Sequence, residues 1–84
     1  MYRVLIVDDE YLARNKLENL IPWEDYAFRV CSSVESAYKA IEVLNKTHID
    51  LVFTDICMPV MDGISLIKHI KINFPKVKII VMSS

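Results

Sequence analysis

The chain has 84 residues, 54% of them hydrophobic, with ten basic and eleven acidic side chains and a net charge of −1. That length holds one small domain, and the apolar fraction supplies ample material for its core. Near-neutral charge without a basic run argues against a nucleic-acid surface. The N-terminus is neither a signal peptide nor a membrane span, because four apolar residues run straight into three acids. Cys31 and Cys57 lie far apart without metal-type spacing, which suits a reducing cytoplasm better than a disulfide scaffold.

The first predicted element is a short β-branched strand, Arg3 to Val7, buried on both faces. A helix follows from Glu10 to Leu20, with Leu12, Leu17, Leu20 and Ile21 at helical spacing and Pro22 as its stop. Trp23 to Tyr26 is a connection, and Phe28 to Ser32 a second strand. Ser32 or Ser33 is the predicted cap of the next helix, since Ser32 with Glu35 matches a capping box. That helix turns Ala37, Ala40, Ile41 and Leu44 inward.

Asp50 to Thr54 reads as the third strand. Met58-Pro59 reads as a rigid turn, and Asp62-Gly63 as a turn or helix start. A third helix, from about Ile64 to Asn73, carries Ile64, Leu66, Ile67 and Ile70 inward, and Val77 to Met82 is the fourth strand. Strands and helices that alternate over such lengths form right-handed parallel crossovers. Near-continuous apolar strands need cover on both faces. The predicted fold is therefore α/β, an open doubly wound parallel sheet.

Sites in such sheets form beyond the carboxyl ends of the strands. Asp8, Asp9 and Glu10 follow the first strand and Asp55 ends the third, so three carboxylates should meet at one edge. Hard oxygen donors of that kind suit Mg²⁺ and a phosphoryl group. The blander alternative is that the acidic triplet serves only the N-terminus of the first helix, which favours negative charge. Ser83 ends the fourth strand on the same edge, as a phosphate donor or simply a loop serine. Thr54 reads as strand packing, Trp23 and Tyr26 as local packing. His48 and His69 have no evident acid-base partner. A Gly-rich phosphate loop and a nucleophile elbow are both missing.

The stretches Val4–Glu10 and Asp55-Ile56-Cys57-Met58-Pro59-Val60-Met61-Asp62-Gly63 resemble the receiver domains of two-component response regulators. The resemblance runs over the whole chain, 1–84, and Ser83 stands where that family places its switch Ser or Thr. Ile21-Pro22-Trp23-Glu24 is similar to receivers attached to AraC-type DNA-binding domains. The resemblance implies strand order 2-1-3-4. It implies phosphoryl transfer from a histidine kinase onto Asp55, with Mg²⁺ held by Asp9, Asp55 and the Cys57 backbone carbonyl, and by Asp8 through water. The few ligands imply millimolar Mg²⁺ affinity or weaker.

The resemblance also implies a departure. Family members continue into a fourth helix, a fifth strand ending in Lys and a fifth helix, so the expectation is a partial receiver domain with no residue for that Lys role. Phosphotransfer would then be impaired, and Val77–Met82 would be an exposed edge inviting self-association or domain swapping. A structural or interaction fragment and a metal-dependent hydrolase of small phosphates are the competing readings. No direct nucleic-acid contact and no membrane association are expected of this segment.

Overall fold

The computed structural model describes residues 1–56, 58 and 63–82. The elements run β1 (Tyr2–Val7), α1 (Tyr11–Leu20), a single 3-10 turn (Trp23–Tyr26), β2 (Phe28–Val34), α2 (Ala37–Lys46), β3 (Leu51–Asp55), α3 (Gly63–Asn73) and β4 (Lys78–Met82). The strands form one parallel sheet, as the alternation of strands and helices predicts, in the order β2-β1-β3-β4 that the resemblance implies. Among the described residues, no helix is long and apolar enough to cross a membrane.

Side chains alternate across β1 and build two cores. Leu5 and Val7 face Ala37, Ala40 and Leu44 of α2 and Leu66 and Ile70 of α3. Val4 and Ile6 face the opposite side, with Trp23 and Leu51, against Leu17, Phe28 and Phe53. Trp23 is 8% exposed and meets the edges of the Phe28 and Phe53 rings at 6.4 and 5.2 Å. Its role is local packing, as the sequence suggests. Met58 is also core.

Several boundaries and faces differ from the sequence reading. Ser36, not Ser32 or Ser33, caps α2, and its Oγ accepts the Lys39 N–H at 3.2 Å. Ser32 and Ser33 are strand residues because β2 runs on to Val34, paired with β1. An irregularity in that pairing between Val4 and Leu5 leaves Cys31 as an extra residue in β2. Of the apolar residues at helical spacing in α1, Leu17 and the following Ile21 pack half-buried against the core, whereas Leu12 is 78% and Leu20 71% exposed. Ile64 of α3 is exposed as well. Helical spacing identifies residues that share a face, but burial also needs a second surface to cover them.

His48 has an acidic partner that the sequence reading did not supply. Its Nε2 lies 2.8 Å from Asp50 Oδ1, while Asp50 Oδ2 accepts the Arg3 N–H at 2.8 Å. Asp50 N–H donates to the Arg3 carbonyl, and the Asp50 carbonyl accepts from Lys78 N–H. One residue thus ties β1, β3 and β4 together at the amino edge of the sheet. The Arg3 N–H, and then His48, hold the Asp50 carboxyl below its usual range.

Candidate metal centre

Strand register delivers the acids to the opposite edge. Val7 of β1 pairs with Thr54 of β3, so the next residues, Asp8 and Asp55, emerge side by side. Asp55 in turn pairs with Met82 of β4. One carboxylate oxygen each from Asp8, Asp9 and Asp55 lies within 4.8 Å of the others. The convergence predicted from the two strand ends is present.

Local bonds set the shape of the acidic loop. Asp8 N–H donates to the Val34 carbonyl at 3.1 Å, anchoring the loop to β2. Asp8 Oδ1 accepts the Glu10 N–H at 3.0 Å, which turns the chain toward α1. Glu10 is the residue preceding α1, yet its side chain makes no capping bond. The triplet is therefore more than a helix cap: Asp9 and Asp8 point their charges at Asp55.

Beneath Asp55, Thr54 is fully buried and its Oγ1 donates to the Asp55 carbonyl at 3.0 Å. Gly63 then lets α3 start against the same backbone. Its N–H donates to the Ile56 carbonyl at 2.8 Å, and a Cβ there would stand 2.1 Å from the Asp55 carbonyl oxygen. Only a glycine permits that approach. Ile56 N–H reaches the Met82 carbonyl at 3.2 Å, fixing the end of β3 against β4.

Burial raises the Asp8 carboxyl pKa above its ordinary value. The Glu10 N–H opposes that shift, and the charges of Asp55 and Asp9 add to it. Three hard oxygen donors, one of them reluctant to ionise beside its neighbours, match the donor chemistry of a small divalent cation. Mg²⁺ fits this set.

Cys57 and Ser83, the other candidate site residues, lie outside the described residues, as do Pro59 and Asp62. Arg14 of α1 is a further neighbour of the acidic loop. Its Nη1 donates to the Asp8 carbonyl at 2.7 Å. An arginine one helical turn beyond an acidic loop was the available signal.

Residues 4–84 match the family described as response regulator receiver domain. The chain belongs to that family. Its members serve phosphorelay signalling, and the sheet order β2-β1-β3-β4 is the family's flavodoxin-like arrangement. The chain is similar to the uncharacterized transcriptional regulatory protein YesN of Bacillus subtilis, 32% identical over 83 residues, which cover 99% of this chain and 23% of YesN. Among solved structures it is similar to the REC domain of AraT, a response regulator from Geobacillus stearothermophilus (TM-score 0.92, 32% identity, 98% of this chain and 64% of that one). It is also similar to a two-component transcriptional regulator AraC from Clostridium phytofermentans (TM-score 0.92, 35% identity, 100% of this chain and 68% of that one). This receiver spans about a quarter of the length of the curated relatives it matches.

Proposed function

We propose that this receiver is a phosphoacceptor switch in which Asp55 takes a phosphoryl group from the phosphohistidine of a histidine kinase. The observation that carries the reading is the meeting of Asp8, Asp9 and Asp55 within 4.8 Å at the carboxyl edge of a parallel sheet. A carboxylate oxygen of Asp55 forms the new O–P bond as the N–P bond of phosphohistidine breaks. The electron pair of that bond returns to the imidazole, and later attack by water releases phosphate and restores the carboxylate.

Asp9 and Asp55, with the Cys57 carbonyl, would hold Mg²⁺ in this reading, and Asp8 would act through water. Bound Mg²⁺ supplies neutralisation of the charge on the phosphoryl oxygens. Asp8 tunes the field around Asp55. Thr54 and Gly63 hold the Asp55 backbone still from two sides. Ser83 takes the switch role, moving toward the phosphoryl group and biasing a packed surface between two states. The likeness to AraT and to the clostridial AraC regulator supports a transcriptional output through an AraC-type DNA-binding domain, in the cytoplasm.

Incubating the chain with Mg²⁺ and acetyl phosphate should add one phosphoryl mass on the peptide containing Asp55. The adduct should vanish in Asp55→Asn and in EDTA. An adduct that survives the substitution defeats the assignment.

A second reading has its own observation. Ile80 and Val81 of β4 are 44% and 43% exposed on the outermost strand, and Leu12 and Leu20 of α1 add to the apolar surface. That surface favours self-association of the chain, with phosphotransfer secondary. Sedimentation equilibrium over a hundredfold concentration range separates the two: this reading requires a mass that grows with concentration, and a monomer throughout removes it.

A further inference from the structure

We propose that Arg14 is a positioning residue for the cation site, holding the Asp8–Asp9 peptide so that both carboxylates face one ion. The inference rests on the reading of Asp8, Asp9 and Asp55 as a Mg²⁺ site. Arg14 stands in the first half of α1, and its own N–H donates to the Glu10 carbonyl at 3.1 Å. Its guanidinium folds back over the acidic loop, where Nη1 reaches the Asp8 carbonyl at 2.7 Å. The Tyr11 ring lies 5.7 Å from the guanidinium carbon and limits where the group can go.

Asp8 is consequently fixed by its amide to Val34, by its carboxylate to Glu10 and by its carbonyl to Arg14. Of these three bonds, only the last comes from a charged side chain. It is short, charge-assisted and directed at the peptide that joins Asp8 to Asp9. Rotation of that peptide would swing the Asp9 carboxylate away from Asp55. The bond goes to the main chain, so it orients the loop without capping the Asp8 carboxylate. Groups behind the first ligands that fix orientation in this way usually matter tenfold or more to metal affinity.

The test is a calorimetric Mg²⁺ titration of the chain and of Arg14→Met and Arg14→Lys, each checked by circular dichroism well below its melting temperature. The Kd should rise roughly tenfold in Arg14→Met, and Arg14→Lys should recover part of the loss, since charge returns without the forked geometry. A folded Arg14→Met with wild-type affinity overturns the proposal, even if its melting temperature has dropped. If Arg14→Met does not fold, Arg14→Lys decides: weakened binding supports the proposal and unchanged affinity overturns it. Wild-type chain that takes up no Mg²⁺ would instead defeat the cation site itself, and this proposal with it.

Discussion

Asp8 is the residue where charge and fold oppose each other. Its carboxyl pKa is raised in the folded chain, first by burial and then by Asp55 and Asp9, so ionising it opposes folding. The penalty is absent below about pH 4, where the carboxyl is protonated in the unfolded chain too. It is complete once the pH has passed the raised folded value. Asp8→Asn should therefore unfold at higher temperature than wild type at pH 7 in EDTA, and the two melting curves should merge near pH 4. Mg²⁺ should reverse the order at pH 7, because only the wild type keeps all three charges for the ion. Asp50 has the opposite sign at the far edge of the sheet. Its pKa is depressed, so its contribution is present above the unfolded value and fades as the pH falls through the folded one.

These two aspartates also show what a sequence can and cannot disclose about side chains. Asp8, Asp9 and Asp55 were legible because each ends an apolar run, and parallel strands bring such ends together. The Arg3–Asp50–His48 cluster and the bond from Arg14 to Asp8 were not, because they depend on register and rotamer. No periodic pattern encodes either.

Among the elements, α3 starts hard against the backbone at the end of β3, and Gly63 permits that approach. A methyl group there would sit 2.1 Å from the Asp55 carbonyl oxygen, against backbone that cannot yield as a side chain would. Gly63→Ala should cost about 3 kcal/mol, read as a lower urea midpoint. Mg²⁺ affinity should fall with it, because the displaced backbone carries Asp55. A variant as stable as wild type would mean that α3 can start elsewhere without strain. At the start of α2 the Ser36 cap replaces the expected Ser32 or Ser33, because pairing with β1 holds both of those in the strand. Helices were readable from spacing and from breakers such as Pro22, whereas their ends were decided by neighbouring strands. The case of α1 is different again. Its apolar stripe is present, but Leu12 and Leu20 face outward. Cover is a property of what packs on a helix, which its own sequence does not contain.

For the molecule as a whole, the sheet has a division of labour. The amino edge is closed by Asp50, which stitches three strands through its backbone and carboxylate. The carboxyl edge is left with three like charges gathered in one place. A fold tolerates such a cluster when a ligand repays the repulsion, the role proposed above for Mg²⁺. The parallel α/β layering was legible because alternating strands and helices of this length admit few arrangements, whereas the strand order came from the resemblance to receiver domains. The direct test of the central claim is a titration of the ¹⁵N-labelled chain with Mn²⁺, followed by amide line broadening. At the first equivalent the signals of Asp8, Asp9 and Asp55 should broaden together, and excess Mg²⁺ should restore them. Broadening centred anywhere else, or spread evenly over the acidic surface, would contradict a single cation held by these three carboxylates.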